Sequence, residues 1–318
     1  MSDIEVSEYE AQTFLRIIRD MPANMVYGLT HQYDIGVPLE LHLSELPEFL
    51  FDELAPDVRK ELINSYADAG KALCFFFSFD DQVPNIDQLL KKRSSAIVSL
   101  KREGIVENVP YFEKFEIHEP TGSLRAKFRY YKGRTHLFDK ETQTLREYLT
   151  VLSGVVIFRS GRKLVEVRAK HGSVSRNAVT GSSVALGLDA PYTLNLRKEV
   201  FIGRFLNWIN SLNNARFEFD VRQVLSSISM STRGKIDLRG VNEFRKYLKE
   251  GRLRGGHATI ITEDKRKIRF RIFFKNCRVY FTSFSNENDI GIVGEALEKI
   301  VEGYRFETPN KLLEDYFK

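Results

Sequence analysis

The apolar residues of this 318-residue chain change period near residue 75, and no purely helical or purely β fold accommodates both periods. Before that point they recur at helical spacing. Phe14, Ile17, Ile18 and Met21 share one face, as do Leu46, Phe49, Leu50 and Leu54. Ser7 with Glu10 three residues on predicts a capped helix start, and Pro22 predicts its end. Further helices are expected over 23–32, after Ser44 and over 56–72.

Cys74-Phe75-Phe76-Phe77-Ser78-Phe79 is too apolar for a surface helix and reads as a strand or a buried connection, and short alternating stretches follow. A helix is expected over 85–103. Phe112 to His118 and Leu124 to Tyr131, separated by Glu119-Pro120-Thr121-Gly122, predict a hairpin. Residues 141–152 read as helical. Val155 to Phe158 and Lys163 to Lys170 predict a second hairpin, closed by a helix from about Ser173 to Leu186. The last third repeats this order: a strand over 217–231, a helix over 240–250, strands over 258–262, 267–274 and 278–284, and a helix over 288–303. The expected class is α+β: a small N-terminal helical domain, then antiparallel-sheet units with helices on one face. The expected domains are an acidic helical domain at 1–87 and basic α+β units at 88–190 and 191–318. Duplication is one explanation of the repeated order, and chance recurrence is the other.

Charge divides near the same place. Residues 1–87 hold 17 Asp and Glu against 5 Lys and Arg, whereas residues 88–318 hold 26 against 43. The overall +5 therefore joins an acidic front to a basic body, the pattern of a protein with an electrostatic partner. Nucleic acid, DNA rather than RNA, is the expected partner of the body. A protein partner is expected for the acidic residues 1–87.

No apolar run approaches the roughly 20 residues of a bilayer-spanning helix, so no membrane association is expected. Asp3, Glu5, Glu8 and Glu10 stand where a signal peptide would be basic and then apolar, which predicts an intracellular protein. Cys74 and Cys277 lie in apolar runs and are expected to be buried, reduced thiols.

Basic and aromatic residues interleave through the body. Arg125, Lys127, Arg129, Lys132 and Arg134 surround Phe128, Tyr130 and Tyr131. Later, alternation predicts that Lys267, Arg269 and Arg271 project together while Ile268, Phe270 and Ile272 enter the core. Such a row, stepping by roughly 6.8 Å, can follow a phosphate backbone without reading bases. A solvated sheet face protected from edge aggregation is the alternative. Arg252 and Arg254, in a loop with Gly255, Gly256 and His257, add two guanidinium groups. Lys170, His171 and Arg176 flank the predicted start of a helix, where free N–H groups favour anions. Ordinary capping by Ser173 is the alternative there.

No catalytic residue, metal site or cofactor is expected. The six histidines never take the i, i+4 spacing of a zinc protease, and neither a Gly-x-Ser-x-Gly elbow nor a nucleotide-binding glycine pattern occurs. Glu166, Arg168 and Lys170 on one strand resemble the acid-then-base pattern of restriction-endonuclease-type nucleases. That pattern wants lysine where this chain has Arg168, and a cross-strand ion pair is the other role for Glu166. A non-enzymatic nucleic-acid-binding protein is thus the leading reading, with an assembly adaptor and a metal-dependent nuclease as alternatives.

Residues 14–30, Phe-Leu-Arg-Ile-Ile-Arg-Asp-Met-Pro-Ala-Asn-Met-Val-Tyr-Gly-Leu-Thr, resemble the helix, proline, helix opening of the centromere protein N family. The resemblance rests on a leucine-arginine pair, an apolar residue before proline and an aromatic-x-leucine spacing. It implies a non-enzymatic, nuclear kinetochore protein with a helical N-terminal domain, a following α+β region and a related partner subunit. In that family the helical domain contacts a nucleosome; here it is acidic, and no contact residue carries over.

Overall fold

The computed structural model describes residues 3–90, 107–139, 144–197, 199–210, 214–220, 227–233, 241–250, 253–262 and 265–303. Its class is α+β, built on an antiparallel sheet. Two compact units share the chain. One comprises Met1–Ala72, Thr259–Phe270 and Phe281–Val293, and the other Leu73–Ala258, Arg271–Tyr280 and Gly294–Lys318.

In the first unit, helices α1 (Asp3–Asp20), α2 (Ala23–Gln32), α3 (Leu46–Glu53) and α4 (Pro56–Tyr66) follow the predicted spacing, although α4 ends at Tyr66 and does not run on to residue 72. Helix α1 starts upstream of Ser7, so Ser7 is an interior residue and not the cap. Phe14, Ile17, Ile18 and Met21 of α1 pack with Val26, Leu46, Leu50, Leu54 and Leu62. Phe284 closes this core and stacks on Tyr66 with 5.3 Å between ring centroids.

The second unit carries most of the sheet. Its strands are β1 (Leu73–Ser78), β2 (Pro110–His118), β3 (Ser123–Asp139), β4 (Thr144–Arg159), β5 (Leu164–Arg168), β6 (Tyr192–Thr193), β7 (Asn214–Asp220), β8 (Ser227–Arg233), β9 (Leu253–Ile261), β10 (Lys267–Phe273) and β11 (Arg278–Phe281). They lie in the order β2-β3-β4-β5-β1-β11-β10-β9-β7-β8, with β6 beside β1, and the outer ends of β9 and β10 belong to the first unit. Helix α5 (Gly172–Leu186) supplies Val174, Ala178 and Val179 to a core with Phe75, Phe77, Phe128, Val156, Phe158, Val165 and Val167. Helices α6 (Glu199–Asn210), α7 (Asn242–Lys249) and α8 (Glu287–Val301) complete the described elements.

Three predicted elements differ from the structure. Residues 144–152 are strand, because β3 extends to Asp139 and pairs with β4 from Asp139↔Thr144 onward; its long-range ladder overrides a weak helical spacing. The expected strand over 217–231 is instead two strands, β7 and β8, paired from Asn214↔Arg233 to Asp220↔Ser227. The glycine-bearing stretch 253–257 is part of β9 and not a loop, and α6 has no counterpart in the sequence reading. The helix expected over 85–103 lies mainly outside the described residues. Both cysteines are free and buried, as expected, and burial pushes the Cys277 thiol up. No described helix is long and apolar enough to cross a membrane.

Candidate functional site

Strand alternation sorts the basic residues, and acidic neighbours then decide which keep their charge available. On β3, Arg125, Lys127 and Arg129 share a face, opposite the Leu124, Ala126 and Phe128 side chains in the core. A bulge at Lys132, between Tyr131 and Gly133, shifts the phase so that Arg134 rejoins the face of Arg129. Arg125 is only 2% exposed and therefore drops out of the expected phosphate row. Lys127 pairs with Glu116 at 2.8 Å and Arg129 with Glu113 at 2.8 Å, both carboxylates coming from β2. Lys132 and Arg134 are exposed. The β3 row is thus largely a set of cross-strand ion pairs.

Around Glu166 the arrangement is buried and closed. Val165 and Val167 enter the core, so Glu166 and Arg168 face the other side of β5. Glu166 is 1% exposed. Its Oε1 accepts from Arg168 Nε at 2.5 Å and from the Cys74 thiol at 3.4 Å, while Oε2 accepts from Arg159 at 3.1 Å. Burial works to raise this carboxyl, but Arg168 and Arg159 outweigh it and bring it to about 2. Both oxygens are therefore committed to arginine, which favours the ion-pair role over the metal-ligand role required by a nuclease. The depressed pKa also sets an acid limit on stability. The contribution is complete above the ordinary value of 4.5 and is lost as pH falls from 4.5 to about 2. Glu166→Gln, which cannot titrate, should show a smaller loss of unfolding free energy across that interval in urea titrations. An acid profile parallel to that of the parent chain would contradict this assignment.

At β7, β9, β10 and β11 the balance is reversed. The strand pattern holds as predicted: Ile268, Phe270 and Ile272 are buried, Lys267 and Arg269 are exposed and Arg271 is half-buried. Within the second unit, Arg271 donates to Glu218 of β7, which also pairs with His257 of β9 at 3.0 Å. Burial raises the Glu218 carboxyl, yet Arg271 and His257 hold it below its usual value. Phe217 and Phe219 point the opposite way, onto Phe244 of α7 at 5.2 and 5.5 Å. The guanidinium groups of Arg271 and Arg278 both lie over the Phe273 ring, 4.5 and 3.9 Å from its centroid. Burial, then the like charges of Arg271 and Arg254, lower the pKa of Arg278. Arg254 is exposed, and neither it nor Arg278 has a carboxylate partner among the described residues. The Nε–H groups of Arg271 and Arg278 are shielded and carry no hydrogen bond.

Three arginines thus converge with Glu218 as the carboxylate among them. Such crowding costs stability and is the kind of local conflict that marks a binding site. Arg278 pairs in register with Phe75 of β1, so it lies on the sheet face that α5 covers elsewhere in this unit. A Cβ added to Gly172 at the start of α5 would sit 3.1 Å from the Phe75 ring, so that helix start and Arg278 flank one residue. His171 is the N-cap of α5, without a side-chain cap bond, and Lys170 and Arg176 are exposed beside it. Ser173 does not cap the helix.

The structure therefore brings Arg254 and Arg271 together and adds Arg278 and Tyr280, which the sequence reading did not select. Their signal was present as the alternation Arg278-Val279-Tyr280-Phe281. Lys267 and Arg269 lie on the part of β10 that belongs to the first unit, and Arg252 lies outside the described residues. The glycines of β9 serve close strand packing, since a Cβ at Gly255 would lie 2.5 Å from the Ile272 carbonyl oxygen. No model of a known protein family matches the chain, and no curated protein matches it.

Proposed function

We propose that this is a non-enzymatic nucleic-acid-binding protein whose contact surface includes Arg254, Arg271 and Arg278. The observation that carries the reading is the stacking of the Arg271 and Arg278 guanidinium groups on Phe273 beside Glu218, with the charge of Arg254 near enough to act on Arg278. Phosphate oxygens would supply the missing counter-charge, and arginine presents a planar fork suited to them. The basic balance of residues 88–318 supports the same partner over longer range. The likeness of residues 14–30 to a non-enzymatic family is compatible with this class.

Binding to a labelled oligonucleotide across a salt series tests the proposal. Three phosphate contacts predict a loss of about 20- to 40-fold in affinity between roughly 50 and 200 mM salt. Arg254→Ala and Arg278→Ala should each flatten the log–log slope by about 0.7–0.9. Arg19→Ala, which removes an exposed partner of Glu48 in the first unit, should leave that slope unchanged. Affinity independent of salt would reject the proposal.

A further inference from the structure

We infer that the Arg254, Arg271 and Arg278 face takes a single-stranded polynucleotide in preference to a duplex, with Tyr280 as a base-stacking platform. The inference rests on the function proposed above and specifies its ligand. Four strands, β11, β10, β9 and β7, are adjacent in the sheet and carry the cluster. At about 4.8 Å between neighbours they span roughly 14 Å from the first backbone to the last. A B-DNA major groove is about 12 Å wide and admits a helix or a two-stranded ribbon. The face is too broad to enter it and would meet a duplex only along its outer phosphates.

Planar groups on the same face suit a different ligand. Tyr280 follows Arg278 by two residues on β11 and pairs in register with Leu73, as Arg278 pairs with Phe75, so the two side chains share a face. Tyr280 is 38% exposed. Its ring is therefore accessible, whereas Phe273 is half-buried beneath the Arg271 and Arg278 guanidinium groups. An unpaired base has a free π-face that can lie on tyrosine or on a guanidinium plane, and a base inside a duplex does not. Arg254 and Arg278 then stand on either side of β10 to engage the backbone on which such bases are strung.

Fluorescence anisotropy with a 20-nucleotide DNA single strand, its duplex and the RNA single strand of the same sequence tests this on the full chain. The single strand should bind about tenfold more tightly than the duplex. Tyr280→Ala should weaken single-strand binding about tenfold and leave duplex binding unchanged, while Tyr280→Trp should retain single-strand affinity. The RNA arm shows which sugar the face accepts. Equal or tighter duplex binding, or single-strand affinity untouched by Tyr280→Ala in a chain with a normal unfolding profile, would overturn the inference and leave the proposed function intact. Absence of salt-dependent binding to all three probes would reject both.

Discussion

Replacing Arg168 with methionine should destabilise the folded chain by about 3–5 kcal/mol, read as a fall in the urea midpoint. The cost comes from Glu166. Its carboxylate, 1% exposed, would keep Arg159 but lose the shorter of its two arginine partners, and an under-compensated buried charge is expensive. Methionine fills much of the arginine volume, so the expected loss is electrostatic more than steric. Arg159→Met should cost less, because that side chain reaches solvent and its bond to Glu166 is longer. Combining Glu166→Leu with Arg168→Met should recover most of the lost stability, since an apolar pair leaves no buried charge. A loss below about 1 kcal/mol for Arg168→Met would show that the carboxylate is stabilised by other means.

Gly154→Ala should be the other severe substitution, at about 1–3 kcal/mol or more for forced overpacking. Gly154 pairs with Phe128 across β3 and β4, and the Phe128 ring folds over it. An added Cβ would lie 2.4 Å from that ring and 2.7 Å from the Arg168 carbonyl oxygen. The ring has little freedom to retreat, being fully buried against Phe112 and Tyr130 at 5.9 and 6.1 Å. Phe128→Leu in the Gly154→Ala background should return only part of the loss, because the contact with backbone oxygen remains. An unfolding midpoint unchanged by Gly154→Ala would mean that β4 can shift away from β5 without cost.

Much of the local architecture was legible. Helix α2 occupies the residues its spacing and Pro22 predicted, and the β10 alternation assigned Ile268, Phe270 and Ile272 to the core correctly. Errors arose where pairing with a distant segment outweighed local preference. Residues 144–152 became strand because β3 offered a partner ladder, and 253–257 became strand because its glycines allow β9 to approach β10. The basic segment at 125–134 looked as promising as the one at 267–271. Glu113 and Glu116 neutralise its exposed strand face, and Arg125 is buried, which alternation along β3 did not reveal.

By itself, the sequence determined the α+β class, the change from helical to strand period, the reduced buried cysteines, and which side of each well-patterned strand meets the core. These depend on side-chain direction, which repeats every few residues along the backbone and is therefore local. The tertiary structure alone decided which cations are neutralised. Strand order places Arg278 of β11 and Arg254 of β9 on either side of β10, and sets Glu116 against Lys127 but gives Arg254 no such partner among the described residues. Coulomb interactions depend on separation in space, and partners such as Arg271 and Glu218 are 53 residues apart along the chain.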